Sequence, residues 1–341
     1  MTTPPLSPVF VLGHDAVAPA AADAVLNGAL VAVPDVAVLE VTGPGAVACI
    51  QGLLTNDIEA PGAGAFLYGA VLTPKGMIVC DLWVERDRTS VRLTVPRQGV
   101  GPLLEIFRRS LPPRLARVAE SPEQTVLHLA GPRAVEVATR AGLALPAEGR
   151  WGSAILTEAT ASLARPAAGA PFAVQIAMAQ TQAPALASRL GVAGAVQGAV
   201  LDLEFARVLA GWPRLGAEID DKTLPQEVRY DEIGGVSYTK GCYTGQETVA
   251  RIHFRGHPNR GLRGLIWDDD PDVARPDVEE DGRPRGRVTS VAWLPDGPVV
   301  GLALLRREVE ADRRVMAAGA EARVVPLPFQ LGGQAVRRSG G

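Results

Sequence analysis

Lysine is nearly absent from this chain. Its 341 residues hold 34 basic side chains, of which only Lys75, Lys222 and Lys240 are lysines, against 37 acidic ones. The formal net charge is −3, so no global basic field points to nucleic acid, and direct DNA binding is not expected. No polybasic segment points to a membrane surface. Cysteine is sparse too: Cys49, Cys80 and Cys242 form an odd set. That excludes a disulfide framework and fits a reducing cytoplasm. Long apolar runs are missing. The stretch from Ala16 to Val33 carries Asp23, Asn27 and a proline, which argues against a membrane span. Met1 to Asp15 has no basic segment ahead of its short apolar run, unlike a signal peptide.

What is present is an ordinary globular composition, 47% hydrophobic and 21% charged. The length suggests two or three domains. Apolar spacing predicts strands over 36–41, 65–72, 77–85 and 91–95, and helices over 44–54 and 100–110. Thr73-Pro74-Lys75-Gly76 joins the second and third strands as a hairpin loop. The outline then repeats: strand 124–129, helix 132–141, strand 172–179, helix 184–190, and a longer helix over 200–211 stopped by Gly211-Trp212-Pro213. Strands mixed with helices, several in hairpins, predict an α+β fold. Residues 1–34 show no sustained period.

Beyond Pro258 the character changes. Short strands over 260–267, 286–293, 299–306 and 322–325, set between Gly, Pro and Asp turns, predict a small β-barrel. The acidic, Pro-rich segment 268–285 reads as a surface loop. A break at His257-Pro258-Asn259 divides a region over 1–257 from a barrel over 258–335.

The most informative stretch is 236–256. Thr244 to Glu247 has the S/T-x-x-E form of a helix capping box, followed by apolar Val249, Ala250 and Ile252. Such a helix would begin just after Cys242, with Lys240 two residues before it. Helix dipole and ammonium would both favour the thiolate, and Gly241 and Gly245 would leave it accessible. An unreactive cysteine in a capped loop is the plainer alternative. His253 and His257 are four apart, like a metal pair, but Gly256 and Pro258 break the helix beneath them, so no metal site is expected. Arg251, Arg255, Arg260 and Arg263 form either an anion-binding strip or a solvated face.

The run Lys240-Gly241-Cys242-Tyr243-Thr244-Gly245-Gln246-Glu247 resembles the signature K-G-C-[FY]-x-G-Q-E of the YgfZ group. That group lies within the superfamily of the glycine-cleavage T-protein, an aminomethyltransferase. Val41-Thr42-Gly43-Pro44, Leu53 to Ile58 and Leu72 to Gly76 are similar to the group's N-terminal half. Gly286 to Ser290 and Gly301-Leu302-Ala303 are similar to the barrel it shares with the T-protein. The resemblance implies a ring of two α+β units and a C-terminal β-barrel around a central folate pocket. It implies a cytoplasmic folate-binding protein that takes tetrahydrofolate or a derivative and assists iron–sulfur client proteins, with an indirect effect on tRNA modification. A tetrahydrofolate-dependent aminomethyltransferase is the alternative.

On this resemblance Cys242 is the candidate thiol, with Lys240 beside it. Asp81 resembles the acidic residue that the T-protein places beside the reactive folate nitrogens. By its own pattern, an Asp within the apolar run Ile78 to Val84 is either solvated or functional. Tyr68, Tyr243 and Trp212 are candidate stacking groups, and Arg251 a candidate partner for the glutamyl tail. One position departs from the family: where relatives place a Glu in R-[IL]-E-A-G, this chain reads Arg207-Val208-Leu209-Ala210-Gly211. Glu204, one turn earlier, is the candidate to replace it.

Overall fold

The computed structural model describes residues 9–13, 15–156, 159–295 and 297–330. Two sheets organise the chain. The larger has eleven strands, in the order Val196–Gln197, Leu30–Ala32, Gln124–Ala130, Val174–Ala179, Ala159–Arg165, Arg150–Leu156, Ala65–Leu72, Ile78–Arg86, Val91–Pro96, Val36–Thr42 and Arg117–Glu120. The two half-units therefore share one sheet, joined where Ala65 pairs with Arg150. All its ladders are antiparallel except the pairing of Val196–Gln197 with Leu30–Ala32. The sheet curls strongly, so that Gln175 reaches Glu85 and Thr94 on strands that are not its neighbours. A polar interior results, in strands whose sequence reads as half solvated.

The second sheet closes on itself. Arg260–Trp267, Asp277–Glu280, Arg283–Trp293, Val299–Arg306, Arg314–Ala317 and Ala320–Val325 form a six-stranded antiparallel barrel, sealed where Arg283–Trp293 meets Val299–Arg306. Closure removes the unpaired edges that an open sheet of this size would expose. The mixed fold and the C-terminal barrel agree with the sequence pattern.

Several segments do not agree. Residues 10–12 add a strand to the barrel, in parallel with Ser290–Ala292. Pro19–Asn27 is a helix whose Ala21, Ala22 and Ala24 enter the main core. An alanine-rich helix shows little contrast between its faces, so its period is not visible in the sequence. The segment read as an acidic surface loop contains the strand Asp277–Glu280. There Val278 is fully buried and Glu280 is paired by Arg285 and Arg313. Seven α-helices lie among the described residues. None is long and apolar enough to cross a membrane.

Candidate functional site

Strand Ile78–Arg86 alternates between two environments. Cys80 points into a hydrophobic core, while Asp81 lines a cavity on the opposite face. The cavity has a volume of about 650 Å³. Asp81 lies opposite Ala70 in the hairpin, and Tyr68 lies opposite Trp83. Tyr68 reaches the carboxylate diagonally, donating its hydroxyl proton to Oδ2 at 2.9 Å. Tyr230 donates in turn to Tyr68 at 3.2 Å. Oδ1 of Asp81 has no hydrogen-bond partner. Burial pushes the carboxyl up to about 6, opposed by the Tyr68 hydrogen bond and by Arg207 and Arg214.

The walls are aromatic. Trp83 and Trp212 are stacked with centroids 5.6 Å apart and planes 15° apart, and Phe172 packs edge-on to Trp83 at 4.9 Å. His128 lies flat against Phe172 at 3.8 Å. All line the cavity with Asp81.

Helix Val200–Ala210 supplies the charged end. Glu204 lines the cavity, and its Oε2 accepts from Arg207 at 2.8 Å and from Arg214 at 3.0 Å. These two guanidiniums hold Glu204 below the usual carboxylate range despite its burial. Arg207 continues to buried Glu218 at 3.0 Å and to Ser290 of the barrel at 3.0 Å. Leu209, two residues on, faces elsewhere: it lines a second cavity with Val25, Leu26, Phe172 and Phe329.

The signature loop is braced at Lys240, Tyr243 and Gly245. Lys240 donates to the carbonyls of Gln51, Leu54 and Asn56 at 2.6, 2.7 and 2.9 Å. Burial pulls its ammonium down to about 8. Tyr243 is buried, with Lys240 above its ring at 5.0 Å. Gly245 adopts φ 83° and presses on the hairpin, where a Cβ would sit 2.6 Å from the carbonyl oxygen of Thr73. Only Gly and a few small polar residues adopt such a φ readily. Gly241 and Cys242 are left exposed, and nothing lies within 4 Å of a Cβ built on Gly241.

Several expectations are corrected here. The helix begins at Gln246 with Gly245 as its N-cap, and no side chain caps it; the glycine's left-handed turn displaces Thr244 from the capping position. Lys240 cannot act as a free charge beside Cys242, because its donors are committed to the Gln51–Asn56 turn. Arg251 is exposed on helix Gln246–Arg255 and is not among the residues lining the Asp81 cavity; Arg97, Arg207 and Arg214 are. Cys242 and Tyr243 are likewise not among them, so the thiol and the carboxylate occupy different places. Of the four arginines read as a strip or a solvated face, Arg260 is paired with Glu227 at 3.0 Å, while Arg251 and Arg255 are exposed. His253 stacks on Tyr238 at 3.6 Å.

The model of the GCVT N-terminal domain family matches residues 14–233. This chain belongs to that family. The GCVT match takes in Asp81 and the rest of its cavity lining except Phe10, and ends before Lys240. Likeness beyond it comes from full-length relatives. The tRNA-modifying protein YgfZ of Yersinia pseudotuberculosis (strain IP 31758) is 28% identical over 311 residues, 89% of this chain and 92% of its own. YgfZ of Serratia proteamaculans is 29% identical over 316 residues, with the same coverage. The glycine cleavage system aminomethyltransferase T from Bartonella henselae shares the fold at a TM-score of 0.75 and 20% identity, over 92% of this chain and 89% of its own. The YgfZ resemblance read at Lys240–Glu247 thus extends along nearly the whole GCVT-type chain.

Sequence reasoning missed Trp83, His128, Phe172, Arg207 and Arg214. Trp83 was within reach: two residues after Asp81 on one strand, it must share that face. The others arrive from distant segments, and only the folded chain shows them together.

Proposed function

We propose that this chain binds a reduced folate, tetrahydrofolate or a derivative, and assists maturation or repair of iron–sulfur proteins in the cytoplasm, with an indirect effect on tRNA modification. The observation that carries the folate part is the Asp81 carboxylate, buried in an aromatic cavity with one oxygen unpartnered. A pterin ring offers adjacent N–H donors to such a group. Trp83 and Trp212 supply flat walls, and Arg97 and Arg214 supply cations for the glutamyl carboxylates. The maturation part is supported by the exposed Cys242 on its braced loop and by likeness to relatives named as tRNA-modifying. The same proposal assigns residues 1–257 to the folate-binding region and 258–335 to the barrel.

Calorimetry with a tetrahydrofolate derivative at millimolar concentration is expected to show binding, weakened by Asp81→Asn about ten- to a hundredfold. No heat from the folded wild type would sink the folate reading. The pH dependence has a definite sign. The ligand pairs with ionised Asp81, whose free-state value is about 6. Affinity should therefore be full above that pH and fall as pH drops through it, while Asp81→Asn stays flat. The fold shared with aminomethyltransferase T makes that activity the second reading. With Leu209 turned away and Glu204 committed to Arg207 and Arg214, ammonia release from an aminomethylated lipoyl carrier and tetrahydrofolate is expected at background. Brisk release abolished by Asp81→Ala would establish the enzyme instead.

A further inference from the structure

A chain of hydrogen bonds runs from the surface across the polar face of the curled sheet and ends at His128. Arg92, whose guanidinium stays charged, donates to Glu40 at 3.1 Å and to buried Glu85 at 2.9 Å. Glu85 also accepts from Ser162 at 2.7 Å. Burial raises the Glu85 carboxyl, and Arg92 is the first influence opposing it. A carboxylate held this way can only accept. Gln175 must therefore turn its amide NH2 toward Glu85, at 3.3 Å, and Thr94, at 3.1 Å. Its carbonyl oxygen is left facing Nε2 of His128 at 3.1 Å.

A carbonyl cannot donate, so Nε2 carries the proton and Nδ1 carries a lone pair. Charge at the rim of the same polar face thus fixes the tautomer of a ring that lines the Asp81 cavity. The ring is held flat against Phe172 and is only 7% exposed. Burial pulls its proton affinity down to about 4, so it stays neutral at physiological pH. Among the described residues, none is hydrogen-bonded to Nδ1.

We propose that His128 is a specificity-determining residue of this cavity, its Nδ1 accepting a hydrogen bond from a ring N–H that a reduced pteridine has and an oxidised one lacks. The proposal rests on the folate reading. A tetrahydropteridine carries hydrogen on N5 and N8, whereas the oxidised ring presents bare lone pairs there. An acceptor of fixed tautomer pairs with the first and faces the second unsatisfied. A site built around a buried hydrogen bond discriminates strongly against the analogue that cannot make it.

Two measurements test this. The long-range proton–nitrogen spectrum of the ligand-free protein should show Nε2 protonated and Nδ1 bare; a proton on Nδ1 overturns the proposal. Titrations with tetrahydrofolate under anaerobic conditions and with folic acid then give the selectivity. The wild type should prefer the reduced form, and His128→Phe, which keeps the stack but has no acceptor, should lose about tenfold or more of that preference. His128→Asn, whose amide oxygen takes the place of Nδ1, should keep most of it. Binding with selectivity unchanged in His128→Phe overturns this proposal alone. Failure of the wild type to bind either compound overturns the folate reading and this one with it.

Discussion

Replacing Arg207 with methionine is expected to destabilise the protein by about 3–5 kcal/mol, the loss typical of removing one partner from a buried ion network. Arg207 is 5% exposed and Glu218 is 1% exposed. The guanidinium serves Glu204, Glu218, the carbonyl of Trp212 and the hydroxyl of Ser290 at once. Ser290 in turn donates to the second oxygen of Glu218 at 2.5 Å. Helix Val200–Ala210, the turn that carries Trp212, and the barrel wall therefore meet at one cation. Without it, Glu218 retains the Ser290 hydroxyl and the Arg214 backbone N–H but no counter-charge. Lysine should not rescue the loss, because one ammonium cannot reproduce a planar fork that spans three elements. The midpoint of urea denaturation measures it. A shift equivalent to less than 1 kcal/mol would mean that the network contributes little, as exposed pairs do. Because Glu204 and Trp212 line the Asp81 cavity, the same variant should also weaken folate binding.

Much of the framework was legible because amphipathic period survives in it. Ala65–Leu72, Val100–Ser110, Arg260–Trp267 and Val299–Arg306 fall where the pattern put them. The site was legible in part. Asp81 was equally compatible with a solvated face, and only the folded chain shows it buried beside a cavity. Ser162, Gln175 and His128 look like solvent-facing positions of half-buried strands. They are buried because the sheet curls until its polar faces meet, and curl depends on pairings far apart in sequence. The capping pattern at Thr244 to Glu247 misled for a local reason: Gly245 takes a left-handed conformation that no side-chain spacing reveals. Glu204 and Arg207 sit three apart on one helix, so their pairing could be anticipated; Glu218 and Ser290 could not.

The variant with the largest expected functional effect is Cys242→Ser. Everything around this residue is structural: Lys240 pins the Gln51–Asn56 turn, Tyr243 is buried, and Gly245 abuts the Thr73–Gly76 hairpin. Cys242 itself is exposed and contributes to none of that bracing. A serine there should change stability by no more than about 0.5 kcal/mol, as surface substitutions usually do. It should still fail to restore iron–sulfur enzyme activity in a deletion strain, since a hydroxyl neither holds iron nor exchanges with a disulfide or persulfide. Reactivity should follow exposure. Under brief iodoacetamide treatment Cys242 should alkylate first, part-buried Cys49 later, and Cys80, fully buried with its thiol pushed well up by that burial, last. The two readouts separate the explanations. A Cys242→Ser protein that folds, binds folate and complements fully would leave the thiol without a chemical role, and the signature would then serve only to fasten its loop to the hairpin. Normal folding and folate binding with lost complementation would place the chemistry at the sulfur, away from the Asp81 cavity. The protein would then act through two separate sites.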